Sequence, residues 1–146
     1  LCVVIKIMSY DSTQNTLFSK DSNEFWELKN DDQLRISYDG AVTLLSPALS
    51  NLFPTGELMA ITVTRDVNGV HKLFKDGVEL TLNVGSSVSI TNTNDAAIDC
   101  IGARDKATPD RSFDGDFYEV VIVNKYTAEL TETLHEFILD KYKELA

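Results

Sequence analysis

Four aromatic rings and one short charged loop are the side chains in this sequence with the clearest recognition chemistry. A ring can stack on the apolar face of a pyranose sugar, and planar polar groups nearby can hydrogen-bond to its hydroxyls. The rings are Trp26, Tyr10, Tyr38 and Tyr118, and the polar candidates are Arg104, Asp105, Asp110 and Arg111, in the proline-bearing loop RDKATPDRS. Because loops on a rigid scaffold carry function more often than strands do, this loop and Trp26 are the predicted ligand-binding residues. A place in the core is the alternative for Trp26.

The residue types that catalyse reactions in proteins are sparse here. Of the two histidines, His71 lies in a predicted strand beside a turn, and we expect His135 to face outward from a predicted helix, among Glu132 and Glu136. The sequence contains no Cys-x-x-Cys pair, no phosphate-binding glycine loop and no dinucleotide fingerprint, and none of its serines lies in a nucleophile-elbow context. We therefore predict that the chain is not an enzyme.

The two cysteines, Cys2 and Cys100, each lie in an apolar run, LCVVIKIM and AIDCIGA. This setting favours buried thiols over metal ligands. A disulfide needs Cα atoms about 5.5 Å apart, so pairing depends on whether the two strands are neighbours, and the sequence leaves it open.

The elements that must position these side chains are short β-strands. Residues 57–82 predict three consecutive antiparallel strands, and the β-branched run at 61–64 suits a pleated, half-buried surface. Asn68-Gly69 and Asp76-Gly77 supply residues that tolerate positive φ, which predicts tight turns between the strands. This β-meander is the predicted centre of the fold.

Further short strands are predicted at 1–8, 16–20, 24–29, 33–38, 41–45, 88–91, 98–103 and 113–124. Residues 1–8 are apolar at nearly every position, which predicts a central strand covered on both faces. Turn-forming residues recur roughly every eight to twelve positions, a spacing typical of an antiparallel β-sandwich or barrel. We therefore predict an all-β fold.

One α-helix is predicted, at residues 127–145, where apolar residues recur at helical spacing. The apolar stripe comprises Leu130, Leu134, Phe137, Ile138, Tyr142 and Leu145. Thr131 is the predicted N-cap, and we expect the stripe to dock the helix on the sandwich. A surface that binds a partner is the alternative.

The composition predicts a single globular domain over residues 1–146, with 43% hydrophobic and 25% charged residues. No apolar run approaches the about 20 residues of a membrane-spanning helix, so we expect no membrane insertion. The net charge of −10 repels a phosphate backbone, and the 13 Lys and Arg are scattered, which argues against nucleic acid as a partner. Because the chain begins at Leu1 inside a predicted strand, we expect it to be part of a longer protein.

Three segments of the chain follow one another in an order that has a counterpart in a known family. They are ITVTRDVNGVHKLFKDGVEL, then IDCIGARD with a variable loop before SFDGDFYEVVIVN, then YTAELTETLHEFILDKY. Together they resemble the concanavalin A-like lectin and glucanase superfamily, in its laminin-G-like and pentraxin-like branch, and the resemblance covers nearly the whole chain. It implies a jelly roll of two antiparallel sheets packed face to face. It also implies an extracellular or virion-surface location, because the branch occurs in adhesion proteins and in viral tail or fibre proteins.

The resemblance implies calcium as a cofactor, since domains of this branch often hold it with Asp, Asn and backbone oxygens at the rim of the sandwich. On this basis Asn94 and Asp95 are predicted metal ligands, and Asp105 and Asp110 lie on a polar loop that could supply others. Turn formation and solvation are the alternative roles of these residues.

Asp114, Asp116 and Glu119 resemble the acidic signature of the glucanases in this superfamily. Retaining glycosidases use two carboxyl groups about 5 to 5.5 Å apart as nucleophile and acid/base. The first position here is Asp where those enzymes use Glu, and Asp114-Gly115 favours a turn or bulge. The non-enzymatic pattern therefore fits this run better.

These observations lead to one main hypothesis and two alternatives. The main one is a recognition domain that binds a glycan or glycoprotein, as the attachment domain of a virion fibre or of a surface adhesion protein. A structural or assembly module, with homo-oligomers formed through flanking regions, is the second. A glycoside hydrolase is the third, and only the carboxylate spacing favours it.

Overall fold

The computed structural model describes residues 1–10, 15–21, 23–29, 33–38, 41–46, 49–82, 98–104, 111–123 and 127–143. Within these ranges the chain forms two five-stranded antiparallel sheets and one C-terminal helix, so the predicted β-sandwich with a single helix is confirmed. The elements are β1 (Cys2–Ile7), β2 (Asn15–Ser19), β3 (Phe25–Lys29), β4 (Gln33–Tyr38), β5 (Ala41–Leu45), β6 (Leu58–Arg65), β7 (His71–Lys75), β8 (Val78–Leu80), β9 (Cys100–Ile101), β10 (Gly115–Val121) and α1 (Ala128–Tyr142).

The strands divide between the sheets in a way that puts distant parts of the chain side by side. Sheet 1 has the order β10-β1-β6-β7-β8, and sheet 2 has the order β5-β4-β3-β2-β9. Apolar side chains from both sheets meet in one core, with Ile5 and Ile61 from sheet 1 and Phe18, Leu28 and Ile36 from sheet 2 fully or almost fully buried. This shared core makes the two sheets the layers of a sandwich.

The predicted meander is β6-β7-β8, and Gly69, Asp76 and Gly77 in its turns have the positive φ that the sequence indicates, whereas Asn68 does not. Gly69 has a φ of 79°, and Asp76 and Gly77 have φ values of 50° and 78°. Two successive positive φ angles are the requirement of a type I′ hairpin turn. The carboxylate of Asp66 steadies the first turn by accepting hydrogen bonds from the backbone N–H groups of Asn68 and Val70, at 2.8 and 2.9 Å.

Strand β1 is central in sheet 1 and covered on both faces, as predicted. Val3, Ile5 and Ile7 point into the core between the sheets, whereas Cys2 and Val4 lie beneath α1. Cys2 and Cys100 form no disulfide: Cys2 lies under α1 on sheet 1, and Cys100 lies on β9 of sheet 2.

Two details of the helix differ from the sequence prediction. The N-cap is Thr127 and not Thr131: the Thr127 hydroxyl accepts a hydrogen bond from the N–H of Leu130 at 3.0 Å, because the helix starts one turn earlier. His135 does not face outward. It is buried against sheet 1, with its ring 4.8 Å from that of Phe74.

The predicted apolar stripe docks only in part. Ile138 is buried and Leu134 and Tyr142 are half-buried, but Phe137 is 55% exposed. The reason is geometric. Leu134, Ile138 and Tyr142 lie on one face of a helix with 3.6 residues per turn, and His135 lies on that face as well, whereas Phe137 does not. Leu145 lies outside the described residues.

Candidate functional site

The structure brings two of the predicted ligand-binding residues to one surface. Arg104 and Arg111 both lie against the face of sheet 2 that points away from the core, where they contact residues of β3. We call the cluster of Phe25, Glu27, Arg35, Arg104 and Arg111 the arginine face. Asp105 and Asp110, which occupy the loop between the two arginines in sequence, lie outside the described residues, as do Asn94 and Asp95.

Trp26 is separated from the arginines by the pleat of β3. Successive side chains of a strand point to opposite faces, so Phe25 and Glu27 share the outer face while Trp26 and Leu28 point to the core. The Trp26 ring is half-buried and meets Phe18 edge to face, with the ring centroids 5.8 Å apart. This is the core position that the sequence left as the alternative.

The centre of the arginine face is Glu27, whose side chain is 0% exposed. The register of the β3-β4 hairpin sets Arg35 directly opposite, and the Arg35 Nη2 group donates a hydrogen bond to Glu27 Oε1. Arg111 Nη1 lies 3.4 Å from the other carboxylate oxygen, Oε2. A buried carboxylate persists only when it is paired and hydrogen-bonded, so Glu27 holds both guanidinium groups in place.

Phe25 anchors the arginines from the next position along the same face of β3. The guanidinium carbon of Arg104 lies 4.2 Å from the centroid of its ring, and that of Arg35 lies 5.0 Å away. Both distances are within the range of cation–π attraction, which is about 0.5–2 kcal/mol per pair. The ring is almost completely covered, at 6% exposure, so it acts here as a support for guanidinium groups.

Hydrogen bonds to the backbone carbonyls of Ala103 and Arg111 fasten the chain to sheet 2 on both sides of residues 105–110. The N–H of Thr16 donates to the Arg111 carbonyl at 2.9 Å, and Ser19 Oγ donates to the carbonyl of Ala103 at 2.8 Å. Arg111 has a φ of 47°, a left-handed conformation that costs free energy in any residue except glycine. The surrounding contacts therefore keep Arg111 in an unfavourable backbone state that aims its side chain at Glu27.

Two buried polar atoms beside Glu27 have no hydrogen-bond partner: Arg35 Nε and Thr16 Oγ1. Thr16 is directly opposite Glu27 on β2, as Arg35 is on β4, so the three side chains form one row across the sheet. Buried polar groups are nearly always paired, and the exceptions call for an explanation. Arg35 Nε is a donor, and Thr16 Oγ1 can donate or accept.

Sequence reasoning missed Phe25, Glu27 and Arg35. A signal was available for the last two, because they alternate with apolar residues in FWELK and QLRISY and so fall on the non-core face of their strands. Alternation cannot show, however, that residues 104 and 111 close over the same face.

The carboxylates that resemble a glucanase signature lie elsewhere, on and beside β10 of sheet 1. Glu119 accepts hydrogen bonds from Lys141 Nζ at 2.8 Å and from the Tyr142 hydroxyl at 3.0 Å. The hydrogen bond from Lys141 holds the pKa of Glu119 below its ordinary value, whereas a general acid needs a raised pKa. The environment of Glu119 therefore does not suit the role of general acid.

The prediction that Asp114-Gly115 forms a turn or bulge is wrong. Gly115 begins β10 in regular pairing with Ile7 of β1. The bulge lies further along, where the register shifts between Val4 and Ile5 and the partner skips from Glu119 to Phe117.

Within the described residues, no group of three or more His, Cys, Asp or Glu side chains is arranged to hold a metal ion. The residues predicted as calcium ligands, Asn94, Asp95, Asp105 and Asp110, fall outside that part of the chain. The calcium site therefore stays a prediction.

A groove of ≈ 630 Å³ lies between α1 and sheet 1. Its walls are mainly apolar, with Leu58, Ala60 and Leu139 among them, and Asp76, Glu136 and Asp140 also line it. The ring in its lining, Tyr142, is half-buried, and the hydroxyl of Tyr142 already donates a hydrogen bond to Glu119, so this ring is poorly placed to stack on a sugar. No helix in the described part of the chain is long and apolar enough to cross a membrane.

Comparison with known proteins gives one family. The model of a laminin G-like family, described as concanavalin A-like lectin/glucanases superfamily, matches residues 1–131. Neither the curated proteins nor the solved structures give a match. The matched range includes all ten strands and ends in the first turn of α1. The chain therefore belongs to the laminin G-like family of the concanavalin A-like lectin/glucanases superfamily.

Proposed function

We propose that this chain is a non-catalytic recognition domain that binds a glycan or glycoprotein through the arginine face. Laminin G-like domains are typically binding domains without catalytic activity, although the superfamily includes some glycosidases. The main support for the proposal is the cluster of guanidinium groups, which the buried carboxylate of Glu27 and the buried ring of Phe25 hold on a rigid sheet. Planar donors that are fixed in advance lose little conformational freedom when a ligand arrives.

The biological setting is the second part of the proposal. We infer that the domain acts outside cells or on a virion, as an attachment domain of a fibre or a surface adhesion protein. Laminin G-like domains are typically extracellular, which supports this setting.

A glycan-array screen of the purified domain tests the proposal, with calcium and again with EDTA. We expect hits that Arg111→Ala weakens and that Arg65→Ala leaves unchanged, since Arg65 lies on β6 of the other sheet and is the matched control. Loss of the hits in EDTA would support a calcium site and direct mutagenesis to Asn94, Asp95, Asp105 and Asp110. Hits that persist in EDTA would rule out a requirement for calcium and would still support the recognition function.

An assembly module is the second candidate, and exposed apolar residues favour it. β10 is an edge strand of sheet 1 in the described residues, and Tyr118 on it and Ile122 directly after it are 45% and 65% exposed. Edge strands and apolar patches promote association between chains. A blank array together with an oligomer of constant size in light scattering, over a wide range of protein concentration, would favour this candidate over the first.

A further inference from the structure

We propose that the groove between α1 and sheet 1 docks a basic amphipathic helix of a partner protein, with apolar side chains of that helix on the groove floor and its Lys or Arg side chains against Glu136 and Asp140. The groove lies on sheet 1 and the arginine face on sheet 2, so this role is separate from glycan recognition. Three properties of the described residues support it: the apolar floor, the carboxylates beside it and the pairing of the backbone around it.

The floor of the groove is apolar and wide enough for several side chains. Val4 and Ala60 of sheet 1 and Ile138 of α1 line it, although each of them is otherwise buried. Leu139 lies beside them with 43% of its surface exposed. The volume of ≈ 630 Å³ falls within the range of about 300–1,000 Å³ that is typical of binding sites.

The charged groups around this floor are mostly carboxylates. Asp76, Glu136 and Asp140 line the groove, and Lys143 is the one cation among its described lining residues. Asp76 is paired with Lys75 at 3.2 Å, but the side chains of Glu136 and Asp140 make no hydrogen bond or ion pair within the part of the chain that the structure describes. A cation on an incoming partner therefore meets two carboxylates that are still available.

The positions of these two carboxylates are unfavourable for α1 itself. Glu136 and Asp140 are four residues apart on the helix, where like charges repel each other. Asp140 also lies in the last turn, where the partial negative charge of the helix C-terminus favours cations over anions. A Lys or Arg side chain of a partner relieves both effects, and the end of the helix adds to the attraction.

The backbone beside the groove indicates that the partner is a helix and not an extended strand. Strands β1 and β6 are interior strands of sheet 1. At Ala60, where β6 extends beyond β7, Asp76 pairs with both backbone groups: the Ala60 N–H donates to Asp76 Oδ1 at 2.8 Å, and the Asp76 N–H donates to the Ala60 carbonyl at 2.8 Å. A peptide that enters at Ala60 therefore finds no strand edge to extend at this point of the described structure. Its own backbone groups must be paired internally, as they are in a helix.

The experiment measures the binding of fluorescently labelled synthetic peptides to the purified domain by anisotropy. The probe is a peptide of Leu and Lys with Leu at helical spacing and about 15 residues, the length at which an isolated helix becomes stable. In one comparison peptide Glu replaces every Lys, and in another Ser replaces every Leu. We expect the Leu–Lys peptide to bind and each comparison peptide to bind at least about tenfold more weakly, because each lacks one of the two attractions.

A charge variant of α1 tests whether the peptide lies in the groove. Glu136→Gln combined with Asp140→Asn should raise Kd about fivefold or more. It should also raise the melting temperature slightly, because it removes the repulsion within α1, so unfolding would not explain the weaker binding. The matched control combines Glu129→Gln with Glu132→Gln, which removes two charges of the same helix that do not line the groove.

An apolar variant tests the floor in the same way. Leu139→Ala should raise Kd about tenfold, the effect of losing the burial of one large apolar side chain. Phe137→Ala is the control, since Phe137 is exposed on the same helix but does not line the groove. Thermal melts show whether each variant is folded at the assay temperature.

Five outcomes would overturn the inference. Equal weakening by the two charge variants would show attraction to the helix as a whole, and equal binding of the Leu–Glu peptide would remove the role of the carboxylates. No binding of any probe would reject the docking site. Binding of octylamine but not of the Leu–Lys peptide would assign the groove to a small cationic amphiphile.

Dimers in light scattering that Leu139→Ala dissociates would assign the groove to a second copy of this chain, an occupant that the net charge of −10 disfavours. None of these outcomes affects the glycan recognition proposed for the arginine face, which the array and Arg111→Ala test separately.

Discussion

At the scale of single residues, the arginine face depends on Glu27. Its carboxylate is fully buried on the outer side of β3 and pairs with Arg35 and Arg111, which are far apart in sequence. The attraction between buried opposite charges offsets the cost of their desolvation only when the partners are well placed. Glu27 and the two arginines therefore depend on one another.

Glu27→Gln should therefore lower the free energy of unfolding. We expect a loss of about 1–3 kcal/mol, less than for a completely buried pair because both arginines keep some contact with water. Urea denaturation followed by tryptophan fluorescence measures it through Trp26. The control is Glu57→Gln, which is exposed and should change stability by no more than about 0.5 kcal/mol. Equal effects of the two variants would contradict the account of Glu27.

Because of His135, we expect the stability of the domain to depend on pH. Burial between α1 and sheet 1 lowers the pKa of His135 from its ordinary value of 6.5, and its Nε2 atom has no hydrogen-bond partner. In the unfolded chain the ring takes up a proton near pH 6.5, whereas the folded protein resists it. The unfolded state then binds more protons, so stability falls as the pH drops below that value.

Thermal melts between about pH 5 and about pH 8 test this point. The melting temperature of the native sequence should fall as the pH is lowered. His135→Leu should flatten the plot of melting temperature against pH near pH 6. His71→Leu, at the other buried histidine, is the comparison variant. A curve that His135→Leu leaves unchanged would show that another group is responsible.

At the scale of secondary-structure elements, strand register assembles the site. Strands β3 and β4 pair antiparallel, with Lys29 opposite Gln33 and Glu27 opposite Arg35. A shift of one residue would move Glu27 to the core side of the sheet, so the apolar residues Leu28, Leu34 and Ile36 enforce the register that the site needs.

Close packing at Gly115 constrains the pairing of strand β10 with β1. A Cβ atom at Gly115 would clash with the Lys6 carbonyl oxygen and lie 2.8 Å from Cζ of Phe113. Gly115→Ala should lower stability by about 2–3 kcal/mol, because the rigid backbone of β1 cannot move aside. Gly56→Ala is the control: it has open space but a φ of 78°, so only backbone strain of about 1 kcal/mol is expected. Denaturation midpoints that rank Gly56→Ala as the more damaging change would refute this reading.

At the scale of the whole molecule, α1 adds a third layer to the sandwich. The family match ends at residue 131, so most of the helix lies beyond it, yet Ile138 is buried against Cys2, Val4 and Ala60. The helix thereby keeps the outer face of β1 from water. Burial also raises the pKa of the Cys2 thiol, which makes the reactive thiolate scarcer.

Ile138→Ala tests this layer. We expect a loss of about 2–4 kcal/mol in stability, from lost apolar burial and the cavity left behind. We also expect faster reaction of Cys2 with a thiol reagent, measured in a Cys100→Ser background. Phe137→Ala is the matched control, since Phe137 is 55% exposed on the next position of the helix. Unchanged Cys2 reactivity in Ile138→Ala would mean that the helix does not shield β1.

The sequence by itself determined the local structure. Gly69 and Asp76-Gly77 specified the turns of the meander because few other residues adopt positive φ at little cost. The apolar run at 1–8 likewise specified a strand covered on both faces. These features depend on neighbours within about ten residues, and local sterics and solvation act at that range.

Tertiary structure alone decided the rest. It selected His135 over Phe137 for the buried side of α1, because the docking angle of the helix is set by the shape of sheet 1. It brought Arg104 and Arg111 onto the outer face of β3, where Glu27 and Phe25 hold them, and it turned Trp26 toward the core. Residues separated by 84 positions, as Glu27 and Arg111 are, meet only when the sheets form, so no local pattern could reveal their contact.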